Sequence, residues 1–397
     1  MKDFLIASFD MEIGGVERSL ISMLDSFDYE NNNVDLMLYS HTGDFMNLIN
    51  KNSRLLNENK KYSTFRKSIV EILKEGQFCL AFSRVLAKVN AKKIAKKLSL
   101  NESSYVQMQL MWKYAIKFLP RLTKKYDIAI SYLWPHYFVA EKVEARLKVA
   151  WIHTDYSKLE TDIGLDLKIW EKYDYIFAVS EECKNSFLSK YPSLLNKIKV
   201  LENITSVGFI NKMANEEIND FNCIDNEFNL LSVARFSPAK GIDNAVKALK
   251  ILHDKGLTNI KWSVVGYGGD EKSIRRLIQD NSLEDSFILL GKKTNPYPYM
   301  KSCDLYVQPS RYEGKAVTVT EAQILNKPVL ITNYPTAKSQ VKDKYDGYIC
   351  ELSVEGIARG IEDIYIDKEL RENLSKNCKN TNYSNKKELE KLYELIR

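Results

Sequence analysis

Two successive series of alternating strand and helix patterns constrain the fold of this 397-residue chain more than any other feature. Short apolar runs of strand length alternate with longer helical patterns, first before Asn203 and again after Asn229. The strands predicted in the first series are Phe4–Phe9, Val34–Tyr39, Ile128–Tyr132, Val149–Ile152, Tyr175–Val179 and Ile198–Leu201. The strands predicted in the second series are Leu230–Ala234, Trp262–Val265, Phe287–Leu290, Leu305–Gln308, Val329–Thr332 and Tyr348–Cys350. Such alternation is typical of parallel sheets covered by helices.

The two series predict two Rossmann-like α/β domains that face each other across a cleft. A length of 397 residues also fits two domains better than one. We place the domains at 1–205 and 206–385, with a polar, acidic stretch, 211–229, near the boundary, and a short closing helix at 386–397. Ligands are expected at the carboxyl ends of the strands.

Composition excludes several classes of protein. Apolar residues make up 45% and charged residues 28% of the chain, which excludes a disordered or collagen-like protein. No run approaches 18 apolar residues, and the N-terminus lacks the pattern of a secretory signal. Six scattered cysteines without C-x-x-C spacing indicate the reducing cytoplasm and buried structural thiols.

The positive charge is concentrated in one segment. Residues 51–125 carry 18 basic and 4 acidic side chains, against 40 and 48 in the rest of the chain. Basic helices with interleaved apolar residues are typical of peripheral contact with an anionic membrane. The residues predicted to make this contact are Arg84, Lys88, Lys92, Lys93, Lys96 and Lys97. A solvated helix face and a nucleic-acid surface are the alternatives, but no recognised nucleic-acid motif is present, so we predict no nucleic-acid partner.

Two cations follow the first strand of the second series. Arg235 and Lys240 lie on the loop after that strand, and a helix is predicted to begin near Gly241. Fixed positive charges beside a helix N-terminus suit a diphosphate group. A surface loop with incidental cations is the alternative.

Two carboxylates flank a later glycine-containing loop. Glu313 lies on the loop and Glu321, eight residues on, lies in the following helix. Paired carboxylates accept hydrogen bonds from vicinal sugar hydroxyls, while backbone N–H groups between them can face phosphate. An exposed glutamate and a helix-start glutamate favoured by the helix macrodipole are the alternative.

Five motifs in order resemble glycosyltransferase family 4, the retaining nucleotide-sugar enzymes of the GT-B fold. They are Gly14-Gly15-Val16, His153-Thr154, Arg235 with Lys240-Gly241, Gly266-Tyr267-Gly268, and Glu313 with Glu321-Ala322 before Pro328-Val329. Together they span nearly the whole chain. The resemblance implies an acceptor-binding N-terminal domain, a nucleotide-sugar-binding C-terminal domain, and a closing helix that packs back on the first.

The resemblance also implies a role for each motif. The residues expected to be catalytic are His153, Arg235, Lys240 and Glu313. The residues expected to bind the donor are Gly14, Gly15, Gly266, Gly291, Lys315, Ala316, Val317 and Glu321. A structural histidine beside Trp151 is the alternative for His153, and His136 is a weaker candidate for the reacting centre. The sequence Gly314-Lys315-Ala316 departs from the bulky residue and glycine common in the family, which leaves the donor sugar open.

The expected reaction is retaining transfer from a nucleoside diphosphate sugar, by family habit a UDP-sugar, to a glycan or lipid-linked acceptor in cell-surface polysaccharide synthesis. No D-x-D motif occurs, so we expect no metal cofactor. We expect the protein in the cytoplasm, on the inner face of the cell membrane. A disaccharide synthase, a phosphorylase and a non-catalytic glycan- or nucleotide-binding module are the alternatives.

Overall fold

The computed structural model describes residues 1–218, 227–313 and 316–396. It divides the chain into two compact units. Unit 1 is Met1–Ile204 with Asn385–Arg397, and unit 2 is Thr205–Ser384. Lys315, which we predict to bind the donor, and Cys223 lie outside the described residues.

Unit 1 is built on a seven-stranded sheet in which every described pairing is parallel. Its strands are β1 (Lys2–Ser8), β2 (Asn32–Leu38), β3 (Arg54–Leu55), β4 (Lys125–Ser131), β5 (Glu144–Ile152), β6 (Tyr175–Ala178) and β7 (Ile198–Val200). The order β3-β2-β1-β4-β5-β6-β7 places the switch point between β1 and β4. The six predicted strands are present, and β3, which is two residues long, is too short for a pattern to predict.

Helices connect these strands. They are α1 (Gly15–Ser26), α2 (Lys60–Ser63), α3 (Ile69–Lys74), α4 (Phe78–Lys97), α5 (Ser104–Ala115), α6 (Tyr137–Lys142), α7 (Ile163–Trp170) and α8 (Glu181–Lys190). The insertion from α2 to α5 packs on the sheet through an aromatic cluster, in which Trp112 stacks on Phe65 with ring centroids 4.0 Å apart. Burial of such large rings anchors the insertion to the core.

Helix α4 carries its large apolar residues on an exposed face. Val85, Leu86 and Val89, which are interleaved with its basic residues in the sequence, are all exposed. Alanines fill the buried face instead, with Ala87 and Ala91 fully buried. Alanine side chains allow α4 to pack closely on its neighbours. The larger apolar residues lie on its exposed face.

Unit 2 contains a six-stranded sheet, again parallel in every described pairing. Its strands are β8 (Phe228–Val233), β9 (Ile260–Val265), β10 (Phe287–Gly291), β11 (Leu305–Gln308), β12 (Val329–Thr332) and β13 (Tyr348–Cys350). The order is β10-β9-β8-β11-β12-β13. The switch point therefore lies between β8 and β11, the strands that precede the two predicted site loops.

Helices connect the strands of unit 2. They are α9 (Val207–Met213), α10 (Ile242–Asp254), α11 (Glu271–Asp280), α12 (Tyr297–Ser302), α13 (Val317–Ile324), α14 (Ala337–Gln340), α15 (Val354–Ile366) and α16 (Lys368–Asn380). Helix α10 shows why these segments are helical, because Ile242, Ala245, Leu249 and Leu252 recur at helical spacing and are all buried. We predict α13 only from Glu321, and it begins four residues earlier.

The closing segment of the chain belongs to unit 1. It contains α17 (Glu390–Tyr393) between two short 3-10 turns. Tyr393 packs edge-on against Phe4 and Phe27, with ring centroids 6.2 and 5.5 Å away, and its hydroxyl accepts a hydrogen bond from the Asp28 N–H at 3.0 Å. Leu389 and Leu392 are buried beside it.

Of the described cysteines, Cys303, Cys350 and Cys378 are buried as predicted, Cys183 is half-buried, and Cys79 is exposed on α4, contrary to prediction.

Among the described residues, no helix combines the length and the apolar character needed to cross a bilayer.

Candidate active site

The loops that follow β8 and β11 meet at the switch point of unit 2. The chain leaves β8, forms a 3-10 turn over Pro238–Lys240, and enters α10 through Gly241. Gly241 has φ +65°, and a Cβ atom there would lie 2.0 Å from the Pro309 carbonyl oxygen. Only glycine allows this conformation and this close approach. Gly241 therefore brings Lys240 beside the loop that carries Glu313.

Lys240 and Glu313 form an ion pair within the described structure. The Lys240 Nζ lies 2.7 Å from both carboxylate oxygens of Glu313. Glu313 is only 6% exposed, whereas Lys240 is half-buried. A carboxylate so far from water requires donors around it, and Lys240 supplies two of them.

Neutral side chains complete the environment of Glu313. Its Oε1 accepts hydrogen bonds from the Ser310 hydroxyl at 2.7 Å and from the Gln308 amide at 3.0 Å. Gln308 is fixed in turn, because its Oε1 accepts from the hydroxyls of Tyr306 and Thr318. These contacts hold the Glu313 carboxylate in one orientation. The sequence carries no separate signal for Gln308, which is the last residue of an ordinary apolar strand.

Glu321 lies one turn into α13. It is 2% exposed and its Oε1 accepts a hydrogen bond from the Tyr297 hydroxyl at 2.9 Å. The two glutamates of the motif are therefore both buried, and each is held by side chains of unit 2. Glu313 is therefore not an exposed glutamate, and Glu321 lies beyond the first turn of α13.

The two arginines of these loops have different environments. Arg235 is exposed and forms no ion pair within the described residues. Arg311 instead donates to both carboxylate oxygens of Asp243 at 2.7 Å and to the Pro238 carbonyl at 2.7 Å. Arg311 was not predicted as a functional residue, and it fixes the loop after β8 against the loop after β11. Of these two arginines, Arg235 is the one that a ligand can reach within the described structure.

The Gln340 side chain hydrogen-bonds the backbone at the start of α13. The Ala316 N–H donates to the Gln340 Oε1 at 3.2 Å, and the Gln340 amide donates back to the Ala316 carbonyl. Val317 is exposed at the first position of α13. The Ala316 N–H, predicted to bind the donor, reaches a phosphate only if Gln340 moves aside.

The loops after β9 and β10 lie next to the loop after β8. A Cβ at Gly266 would lie 1.8 Å from the Ala234 carbonyl oxygen, so the close approach of these loops requires glycine. Gly291 ends β10 with φ +73°. The Lys292 Nζ lies 5.5 Å from the centre of the exposed Tyr267 ring, which gives this edge an aromatic surface with a cation beside it.

In unit 1, the glycines predicted to bind the donor follow β1, and the histidine predicted at the reacting centre follows β5. Gly14 caps α1, and Gly15 begins it with open space around its Cα. His153 follows β5, with its ring 4.6 Å from Tyr132 and 6.5 Å from Trp151 between centroids. Burial lowers the pKa of His153 to about 3, so the imidazole is neutral at physiological pH.

His136 has a different environment from His153. Its Nδ1 lies 2.8 Å from the Ser131 hydroxyl and its ring packs on Trp170. Burial, together with the nearby His153, lowers its pKa to about 3. These contacts indicate a structural histidine.

Two carboxylates near β1 were not predicted. Asp10, 2% exposed, accepts from the Arg66 guanidinium at 2.5 Å. Glu17, in the first turn of α1, lies over Gly14, and burial raises the pKa of its carboxyl group. Their only sequence signal is their position just after an apolar strand. Among the described residues, no group of three or more histidine, cysteine, aspartate or glutamate side chains could hold a metal ion.

The whole chain is similar in structure to solved proteins. Anabaena HepE, crystallised in complex with UDP and glucose, superposes with a TM-score of 0.66 at 15% identity, over 100% of this chain and 99% of HepE. With the two parallel sheets described above, this likeness defines the fold as GT-B, as predicted.

The similarity to a known family lies in the second unit. Residues 214–381 match the family model of glycosyl transferases group 1. This match agrees with the resemblance to glycosyltransferase family 4 that the sequence motifs predict.

Two relatives show how far the similarity extends. An uncharacterised glycosyltransferase of Methanocaldococcus jannaschii is 29% identical over 189 residues, which is 47% of this chain and 46% of that protein. The capsular polysaccharide biosynthesis glycosyltransferase CapM of Staphylococcus aureus is 28% identical over 213 residues, 51% of this chain and 55% of CapM. The chain thus matches about half the length of these relatives.

Proposed function

We propose that this chain transfers a sugar from a nucleoside diphosphate sugar to a hydroxyl group of a glycan or lipid-linked acceptor. The proposed donor is a UDP-sugar. The transfer retains the anomeric configuration and needs no metal ion. The pathway is assembly of a cell-surface polysaccharide. The similarity to CapM, a capsular polysaccharide biosynthesis glycosyltransferase, supports the pathway, and the HepE complex with UDP supports the choice of nucleotide.

The Lys240–Glu313 pair carries the proposal, with the exposed Arg235 on the same loop as Lys240. A diphosphate at this loop would meet the Arg235 guanidinium, which forms no ion pair within the described residues, and the Lys240 ammonium group, which has a third N–H donor. Glu313, held by four donors, would accept a hydrogen bond from a hydroxyl of the donor sugar. Glu321 would accept from the ribose hydroxyls. Cations at the leaving group stabilise the negative charge that develops as the sugar departs.

The proposed step proceeds on one face of the sugar. The bond from the anomeric carbon to the diphosphate oxygen breaks, and the acceptor oxygen forms its bond on the same side. The acceptor proton passes to the departing phosphate oxygen. The family resemblance assigns His153 to the donor sugar, and a neutral imidazole there adds no positive charge to an oxocarbenium-like centre.

The first test measures donor binding and turnover in the same variants. UDP-glucose, GDP-glucose and ADP-glucose are compared by thermal shift, since a ligand at 100 times its Kd stabilises a fold by about 2.7 kcal/mol. We expect Glu321→Ala to weaken binding of the preferred donor at least about tenfold, and Arg235→Ala to lower kcat about a hundredfold. Arg275→Ala is the matched control, because Arg275 is exposed on α11 and pairs with Glu271. Wild-type turnover in both site variants would disprove the assignment.

Further assays separate the alternatives. A phosphorylase would release sugar-1-phosphate only when inorganic phosphate is present, and a binding module would bind the nucleotide without hydrolysing or transferring the sugar. Activity that EDTA abolishes and magnesium restores would contradict the proposed independence from metal.

A further inference from the structure

Helix α4 exposes a row of large apolar side chains. Phe78 is 66%, Phe82 69%, Val85 45% and Val89 48% exposed. Their spacing of four, three and four residues places them on one face of the helix. At a rise of 1.5 Å per residue this row, the apolar stripe of α4, is about 17 Å long.

The apolar stripe is not the face through which α4 packs on the core of unit 1. The opposite side of α4 is already buried through Leu80, Ala87, Ala91 and Ala95. Exposing two phenylalanines and two valines to water is unfavourable, and contiguous exposed apolar residues mark interaction surfaces. The stripe therefore indicates that something other than the described protein covers this face.

The charge of α4 indicates which partner fits. Its 20 residues include no aspartate or glutamate. Lysines follow the stripe toward the C-terminal end, and within the described residues they form no ion pair: Lys88, Lys92, Lys93, Lys96 and Lys97. A second copy of the chain would bring more lysines to this face and no carboxylate from α4. An anionic surface with an apolar interior offers both of the complements that α4 needs.

Arg84 does not belong with these lysines. It was predicted as a membrane contact, but its guanidinium donates to the backbone carbonyls of Lys67 and Phe65. Arg84 is therefore committed to the packing of α4 on the preceding segment.

We propose that α4 binds an anionic lipid bilayer, with Phe78, Phe82, Val85 and Val89 inserted between the lipids and the five lysines at the level of the phosphate groups. Amphipathic helices that lie on membranes bury their apolar face about 5–10 Å into the boundary of headgroups and acyl chains. Binding thus has two separable components, an apolar one from the stripe and an electrostatic one from the lysines. It does not depend on the proposed transfer reaction.

The test is co-sedimentation of the full chain with vesicles of phosphatidylcholine, alone or mixed with phosphatidylglycerol, at low and high salt. We expect binding to the anionic vesicles, with a fraction retained at high salt. Phe82→Ser should lower the partition coefficient about tenfold at both salt concentrations. The double variant Lys92→Gln/Lys93→Gln should lower it about 25-fold at low salt, about fivefold for each lysine, and much less at high salt.

The matched control is Leu195→Ser. Leu195 is 60% exposed in unit 1 but lies outside α4, so this variant should bind vesicles as the wild type does. Failure of the wild type to bind anionic vesicles at low salt would overturn the proposal, and so would wild-type binding by Phe82→Ser. A dimer that Phe82→Ser dissociates would show instead that the stripe is a contact between copies. The thermal shift with UDP-glucose in the same variants reports on donor binding separately, so failure of either proposal is distinguishable from failure of the other.

Discussion

At the scale of single residues, the environment of Glu313 links stability to function. Its buried carboxylate accepts hydrogen bonds from Lys240, Ser310 and Gln308, and Lys240 contributes the only charge among them. Removing one partner of a buried ion pair leaves the other charge uncompensated, whereas removing both can be nearly neutral.

Lys240→Met should therefore lower the free energy of unfolding by about 2 kcal/mol, because Glu313 loses its cation while it stays buried. The double variant Lys240→Met/Glu313→Gln should recover most of that stability and remain inactive, because the cation is still missing. Denaturant unfolding and donor turnover, measured on both variants, check the pair. If Lys240→Met were as stable as the wild type, the ion pair would not hold the loops together.

The residues of the site could be predicted only in part. Arg235, Lys240, Glu313 and Glu321 stand in motifs with fixed spacing, and the structure brings Lys240 and Glu313 into contact. Gln308 acts through contacts within its own strand and loop, which an ordinary apolar strand pattern does not reveal. Arg311 and Gln340 act through contacts with segments distant in sequence, which local patterns do not determine.

At the scale of elements, the crossing at Gly241 fixes the geometry of the site. Its left-handed backbone and the nearby Pro309 carbonyl leave no space for a side chain. Gly256, near the other end of α10, is also left-handed, with φ +89°, but a Cβ there would meet nothing within 4 Å. A substitution at Gly256 therefore tests backbone strain alone, whereas one at Gly241 adds a steric clash.

Gly256→Ala should cost about 1 kcal/mol in unfolding free energy, from the left-handed conformation alone. Gly241→Ala should cost at least about 3 kcal/mol and also weaken donor binding, because the Pro309 carbonyl must move and carry the Glu313 loop with it. Thermal unfolding and the UDP-glucose thermal shift measure the two effects. Equal costs for the two variants would contradict a tight crossing at Gly241.

Patterns predicted the described strands other than β3 because buried parallel strands are short, continuous apolar runs with clear limits. Periodicity alone did not decide how α4 packs. Its alanines are buried and its phenylalanines are exposed. Amino-acid hydrophobicity alone does not tell which of two apolar faces a neighbouring helix covers.

At the scale of the whole molecule, the closing segment makes unit 1 discontinuous in sequence. Leu389, Leu392 and Ile396 are buried in unit 1, and Tyr393 packs on Phe4 and Phe27. A chain that ends at Ser384 should lose about 5 kcal/mol of unit 1 stability, mainly from apolar burial. Four of the five tryptophans lie in unit 1, so unfolding followed by tryptophan fluorescence reports this loss.

Tyr393→Phe is the mild control for that truncation. It removes the hydrogen bond from the Asp28 N–H and keeps the ring, so it should cost about 1 kcal/mol. An unchanged fluorescence transition in the truncated chain would show that the closing segment contributes no stability to unit 1.

The return of the chain to unit 1 also sets an order of events during synthesis. The 180 residues of unit 2, Thr205–Ser384, are translated between the two parts of unit 1. At 5–20 residues per second the ribosome needs about 10–40 s for them. For that interval the nascent unit 1 exposes the rings of Phe4 and Phe27 that Tyr393 later covers, which makes it a client for chaperones until its last segment emerges.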